Sequence, residues 1–306
     1  MTKGRKAEQA DVRIRRGAFL DRVRAAEARA LATGALQPIA TRSRVLERGG
    51  LRVLVRILTH AERKALARKE QDVGQAPEDP FLPYDPELLV QGLGTHHVAL
   101  LNKFQVLEHH VLIVTRDFEH QESPLTRADF AALHEVMRTA GGLGFYNAGE
   151  VAGASQRHKH LQWVPTPLDP ACSRAVPIDA MIPEGPTPGH RMRVRGFRFV
   201  HELQAVPGSI WTEKTGPTEL LDRYRRMLDR VGLKPQTRGR LPPYNLLLSQ
   251  RWMLLVPRRR ECWNGVSINA LGFAGAFLVR KEEEFRQLAA VGPLEALRHV
   301  AVVKAV

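Results

Sequence analysis

The chain is short of cysteine, of aromatic residues, of acidic residues and of long apolar runs. Its two cysteines, Cys172 and Cys262, cannot build a disulfide framework, and neither sits in a Cys-x-x-Cys pair. That excludes a four-cysteine zinc site and suits a reducing compartment. Phe, Trp and Tyr make up only 6% of the residues, too few for the interleaved stacking platforms of a single-strand binder, and no familiar nucleic-acid reader motif is present. No uncharged apolar run approaches the roughly 18 residues of a membrane span. The N-terminal MTKGRKAEQADVRIRRG lacks the apolar core of a signal peptide. These absences predict a cytoplasmic protein with no membrane partner. Against 46 Lys and Arg stand 32 Asp and Glu, a formal net charge of +14. Such a field draws polyanions, whether nucleic acid, an acidic membrane face or a small polyphosphate. With 43% hydrophobic and 25% charged residues the composition is that of an ordinary globular chain, so disorder is excluded as the main state. Among the 306 residues no repeat of solenoid length occurs.

Periodicity organises what remains. Residues 17–33 carry Phe19, Leu20, Val23, Ala26, Ala30 and Leu31 at helical spacing, with Glu27 at the edge of the stripe. Residues 42–58 predict a hairpin turning at Gly49-Gly50, with Leu51, Val53, Val55 and Ile57 on one face of its second strand and Arg52 and Arg56 on the other. The Pro-rich, charged stretch 68–87 predicts a long loop, of a length that in compact domains is often functional. Strands follow at 97–102 and 110–115, then a helix over 127–140 with Thr126 as N-cap and Asp129 three residues on. Further strands are predicted at 143–147 and 158–164, an irregular Pro-rich stretch at 165–190, and a helix at 217–232. Strands at 244–249, 252–257 and 274–280 precede a helical stretch, 281–302, broken near Gly292-Pro293. Arg191, Arg193, Arg195 and Arg198 read as a solvated face. Hairpin-like strand sets mixed with a few helices predict an α+β fold with a largely antiparallel sheet.

The chemistry concentrates in Asn147-Ala-Gly149-x3-Gly153-Ala154-Ser155-Gln156-x-His158-Lys159-His160-Leu-Gln162-Trp163. On a strand, side chains repeat every two residues, which places His158, His160 and Gln162 in one row and Lys159, Leu161 and Trp163 on the other face. The glycines before the row let a backbone approach an anion closely. A neutral imidazole can attack phosphorus when a second hydrogen bond fixes its tautomer, and neighbouring amides can hold the non-bridging oxygens. A bare His-x-His also fits two zinc ligands or a plain strand pair, but no third Cys, His or acid follows at convincing ligand spacing.

The pattern Asn-x-Gly-x3-Gly-x-Ser-x2-His-x-His-x-Gln resembles the active-site motif of the histidine-triad superfamily. The terminal Gln is similar to that of its nucleotidyltransferase branch, and GASQRHKHLQWVP resembles the diadenosine tetraphosphate phosphorylases, also called ATP adenylyltransferases. Leu101-Asn-Lys-Phe104 with His109-His110-Val-Leu-Ile-Val-Thr115, Tyr244-Asn245-Leu-Leu-Leu with Arg251-Trp-Met-Leu-Leu-Val-Pro-Arg258, and Ile268-Asn-Ala-Leu-Gly272-Phe-Ala-Gly275 resemble further blocks of that family, together spanning about 50–280. Gln105 and Arg157 stand where the family usually has Pro.

The resemblance implies a histidine-triad-like antiparallel sheet with flanking helices in one domain over 1–306, with room for two related halves, about 40–165 and 190–300, as in galactose-1-phosphate uridylyltransferase relatives. It implies phosphorolysis of diadenosine tetraphosphate to ATP and ADP through an adenylyl group on His160, with His158 supporting it and Gln162 contacting the α-phosphate. Gly153, Ala154, Ser155, Gln156 and Asn147 would hold phosphate, Asn102 the ribose, and Lys103 and Lys64 the polyphosphate; Asn269, Gly272 and Arg280 are further candidates. A divalent ion, Mg²⁺, would come with the nucleotide, and no structural zinc is expected. Another nucleotidyl transfer, to a hexose phosphate or from adenylyl sulfate, is the nearest alternative, with a basic nucleic-acid binder behind it.

Overall fold

The computed structural model describes residues 2–62, 79–171, 174–183 and 192–303, with side chains from residue 17 onward. Its centre is an eight-stranded antiparallel sheet, ordered β3 (Leu89–Leu93), β4 (His97–Leu101), β5 (Val111–Thr115), β7 (His160–Val164), β6 (Leu143–Ala148), β9 (Tyr244–Leu248), β10 (Trp252–Pro257), β8 (Glu202–Ala205). The runs HVALL, VLIVT, YNLLL and WMLLVP are buried at every residue, as a sheet covered on both faces requires. One face is covered by helices α1 (Thr2–Thr33), α2 (Arg127–Ala140) and α3 (Gly216–Val231). Phe19, Val23, Phe130, Leu133, Leu220 and Tyr224 meet Leu101, Ile113, Leu161, Trp163 and Leu246 there.

The other face is covered over only part of its width. A small sheet, β1 (Thr41–Arg48), β2 (Leu51–Leu58) and β13 (Ala276–Val279), packs against it with α4 (Ala270–Ala274), α5 (Glu282–Val291) and α6 (Pro293–Val300), forming a second core with Phe145, Leu247 and Leu254. A two-stranded ribbon, β11 (Cys262–Trp263) and β12 (Val266–Ser267), completes the elements. Where that cover stops, above β4, β5 and β7, a cavity remains.

Local chemistry explains most of these elements. Thr126 and Asp129 form a capping box on α2, with Thr126 Oγ1 accepting from Asp129 N (3.3 Å) and Asp129 Oδ2 from Thr126 N (2.7 Å). The helix expected over 17–33 is the end of a longer one, and the edge of its stripe is inverted: Leu31 is 52% exposed while Glu27 is buried. Glu27 is buried because it has partners, accepting from Gln105 Nε2 (3.1 Å) and the backbone and ring nitrogens of His109. Gln105 in turn accepts from His110 N (3.3 Å), so this residue, where the family favours Pro, is absorbed into the packing of the β4–β5 loop. Strands β3 and β8 were not apparent from the sequence, and the strand expected at 274–280 starts only after α4 ends at Ala274. Arg193, Arg195 and Arg198 are exposed, and Arg191 lies outside the described residues.

Candidate active site

Strand β7 sets the site. Its row begins one residue pair later than expected: His160 and Gln162 lie on the strand, while His158 precedes it and makes only a bridge to His120. Pairing between β6 and β7 stops at Phe145 opposite Gln162. Beyond that point the side chain of Gln121 replaces the ladder. Its Oε1 accepts from His160 N (2.8 Å), and its Nε2 donates to the carbonyls of His160 (3.1 Å) and Asn147 (2.8 Å). One buried amide thus fixes both the histidine and the asparagine of the motif.

His160 Nδ1–H donates to the His158 carbonyl (2.8 Å), since a carbonyl can only accept. The lone pair therefore resides on Nε2. Burial lowers the His160 pKa to about 4, with the His158 hydrogen bond opposing the shift, so the ring is neutral at physiological pH. Phe81 walls it in, its ring centroid 5.5 Å from that of His160 and 5.6 Å from that of His158. The His158 ring does not line the cavity. Its Nδ1–H donates to Asp79 Oδ2 (2.8 Å), and its Nε2 lies 2.9 Å from the Thr115 hydroxyl and 2.8 Å from the Thr115 carbonyl. It pins the segment carrying Asp79 and Phe81 over the strand ends.

A second chain of hydrogen bonds orients Gln162. Asn102 Oδ1 accepts from Phe104 N (3.2 Å), so its Nδ2 is the group that donates to His110 Nδ1 (3.2 Å). His110 Nε2–H then donates to Gln162 Oε1 (2.9 Å), which leaves the Gln162 Nε2 amide as the donor available to a ligand. Burial lowers the His110 pKa to about 4, against the Gln162 hydrogen bond, and neutrality is what this relay needs.

Gly149 and Gly153 shape the loop between β6 and β7. Gly153 has φ +90°, and a Cβ there would lie 2.8 Å from Asn269 Cβ; Gly149 has φ +86° and would meet Glu122 Oε1 at 2.8 Å. The loop is buttressed from the C-terminal part of the chain. Asn147 Oδ1 accepts from Asn245 Nδ2 (2.9 Å) and Ala270 N (3.0 Å), which leaves Asn147 Nδ2 as a donor. Asn245 Nδ2 also donates to the Ala152 carbonyl (2.8 Å), and the buried Arg258 donates to Asn245 Oδ1.

Together these residues bound a cavity of about 850 Å³. It brings together Asn102, Lys103, Asn147, Gly153, Ser155, Gln156, His160, Gln162, Asn269, Gly272 and Arg280 of the sequence-derived candidates. Ala154 and His158 do not line it, and Lys64 lies outside the described residues. Leu58, Tyr84, Leu100, Phe104 and Leu112 supply apolar walls. Sequence reasoning missed Asp79, Phe81, Thr115, Gln121 and His110. The signal for the first two was the improbably long loop over 68–87; Gln121 and Thr115 carried none, because their roles depend on strand register.

Two family models match the chain: an Ap4A phosphorylase N-terminal domain over residues 9–184 and an ATP adenylyltransferase C-terminal domain over 195–303. Diadenosine 5',5'''-P1,P4-tetraphosphate phosphorylase 2 of Saccharomyces cerevisiae is 30% identical over 240 residues, covering 69% of this chain and 71% of the relative. Protein APA1 of the same yeast is 28% identical over 246 residues, covering 70% and 73%. The crystal structure of yeast Ap4A phosphorylase Apa2 superposes with a TM-score of 0.76 at 23% identity, over 92% of this chain and 94% of that one. Its complex with Ap4A gives 0.74 at 23% identity, over 92% and 97%.

Proposed function

Since the chain belongs to the family of Ap4A phosphorylases and ATP adenylyltransferases, we propose that it cleaves diadenosine tetraphosphate with orthophosphate to give ATP and ADP, reversibly. The observation that carries the mechanism is the fixed tautomer of His160, a buried neutral imidazole with Nε2 free at the floor of a nucleotide-sized cavity. In the first step Nε2 attacks the α-phosphorus of one adenylyl group. The bond to the bridging oxygen breaks, and ATP leaves with its electron pair. In the second step an orthophosphate oxygen attacks the adenylyl phosphorus, the N–P bond returns its electrons to His160, and ADP is released. The Gln162 and Asn147 amides would donate to the non-bridging oxygens as charge shifts. The apolar walls would take the adenine, and Ser155, Gln156 and Lys103 the phosphates. The charged lining is Arg56, Lys103, Asp85, Arg280 and Glu284, and no group of three or more potential metal ligands occurs among the described residues. Mg²⁺ would enter as part of the bound nucleotide, because it is commonly held by substrate phosphates, and would neutralise polyphosphate charge. No described helix is long and apolar enough to cross a membrane. A cytoplasmic location is proposed on the scarcity of cysteine, which suits a reducing compartment.

Product analysis tests the reading. Incubated with diadenosine tetraphosphate, the protein should form equal amounts of ATP and ADP, and only when orthophosphate is present. Formation of ATP and AMP without phosphate consumption would mean hydrolysis and overturn it.

The relay through His110 makes a separate prediction. His110→Leu removes the donor that holds Gln162 Oε1 and lets the amide rotate. kcat should fall about tenfold, less than the roughly 10²–10³ that losing an oriented transition-state donor itself costs. KM should change little, and a steady-state measurement showing the loss in KM alone would contradict the relay.

A further inference from the structure

The cavity wall facing the large sheet is built by β2 and β13. These pair in parallel, with Arg56 opposite Leu278 and Leu54 opposite Ala276. Arg56, Leu58, Ala276, Leu278 and Arg280 line the cavity, whereas Val53, Val55 and Ile57, alternating with them, join the second core. One face of the small sheet is therefore turned on the cavity; it carries the Arg56 guanidinium on β2, and Arg280 follows one residue past the end of β13. Arg52, four residues before Arg56 on the same face of β2, is engaged by Asp169 Oδ2 (3.0 Å) and Glu47 Oε1 (3.0 Å). Among the described residues no such carboxylate bonds Arg56. Its Nη1 donates to the Thr41 hydroxyl at 3.4 Å, and its Nε is buried with no hydrogen-bond partner among the described residues. Burial pulls its pKa down and the field of Glu108 opposes this, yet a guanidinium stays charged. A half-buried cation with unspent planar donors, set in the wall of a cavity, is a receptor for a phosphate.

We propose that Arg56, which lines the same cavity as Arg280, forms an anion subsite for the phosphate groups beyond the one transferred to His160. The proposal rests on the reading of the cavity as a nucleotide site. Two sources can supply such a group: the polyphosphate of the departing nucleotide, or the incoming orthophosphate.

The test uses the full-length protein and the variants Arg56→Gln and Arg56→Lys. Calorimetric titration with inorganic tripolyphosphate and with AMP separates the two parts of the site, and the KM for orthophosphate is read in the phosphorolysis assay. Arg56→Gln should weaken tripolyphosphate binding about tenfold, the usual worth of a hydrogen bond to a charged group. AMP affinity should stay within about twofold, which also shows that the variant is folded, and Arg56→Lys should lie between. A rise confined to the orthophosphate KM would uphold the subsite and assign it to the acceptor. Tripolyphosphate affinity and orthophosphate KM both unchanged, or AMP affinity lost in equal measure, would overturn it. Arg56-dependent tripolyphosphate binding by a wild type that ignores AMP would keep the subsite and sink the nucleotide reading instead.

Discussion

His160→Ala should lose at least about 10³ in turnover while still binding nucleotide, because it removes the attacking atom and leaves the cavity walls in place. His158→Ala should lose less. It deletes a ring that bonds Asp79 and Thr115 but keeps the backbone carbonyl that fixes the His160 tautomer. Rapid acid-free denaturation of wild type with labelled donor should trap a base-stable, acid-labile adduct that maps to the peptide containing His160. Label retained in His160→Ala and absent in His158→Ala would reverse the assignment; full activity with no adduct in any variant would mean direct transfer. The pH profile gives an independent reading. His160 must be unprotonated to attack, and with its pKa lowered to about 4 it remains so well below neutrality. His110, also near 4, must stay neutral to accept from Asn102 while donating to Gln162. Both losses act in the same direction, so the acid limb of kcat/KM should fall near pH 4 and be steeper than a single titration. A limb centred near 6.5 would contradict the burial argument.

Lys159→Met should destabilise the fold by about 3–5 kcal/mol, as breaking a buried ion pair does, lowering the melting temperature on the order of 10 °C. Lys159 is fully buried between the two histidines of the motif, on the helix side of the sheet. Its Nζ donates to Glu119 Oε2 (2.7 Å), Asp129 Oδ2 (3.0 Å) and the Pro124 carbonyl (3.1 Å). Asp129 is itself buried and accepts from His97 Nε2 (2.8 Å). Burial alone would raise the Asp129 pKa, but the His97 hydrogen bond, Lys159 and the Thr126 backbone bring it down to about 2. A carboxylate held below its unfolded value of 3.8 adds stability that is fully present above that pH and is lost as pH falls through about 2. Without Lys159 the folded pKa rises, so acid unfolding followed by circular dichroism should move to higher pH. A variant that melts like wild type would show that the methylene stem, not the ammonium, matters here.

The motif region was legible because its chemistry is local. Strand periodicity separated His160 and Gln162 from Leu161 and Trp163, and the Thr126–Asp129 spacing announced α2. The Gly49-Gly50 turn and the break at Gly292-Pro293 were equally local signals. Glu27 reads as a blemish in a helical stripe until the chain brings Gln105 and His109 to it. Gln121 was illegible for the same reason: an isolated Gln has no period, and its meaning is set by strands distant in sequence; alternation put Arg56 on the polar face of its hairpin without showing that a cavity lies there. Short strands such as β3 and β8 were hidden because LVQGL and ELQA lack sustained alternation, and pairing rather than propensity makes them strands.

The parallel pairing of β2 with β13 also fixes when the site can exist. A nascent chain that has delivered His160 and Gln162 already holds β2 but not the strand that β2 pairs with, because Ala276–Val279 have still to be synthesised. Asn147 likewise waits for Asn245 and Ala270 to hold its carbonyl oxygen. Contacts so distant along the chain form late and slowly, after their loop-closure entropy has been met. Until that strand joins, an unfinished polypeptide on the ribosome holds His160 without the β13 side of the cavity that it faces in the folded chain.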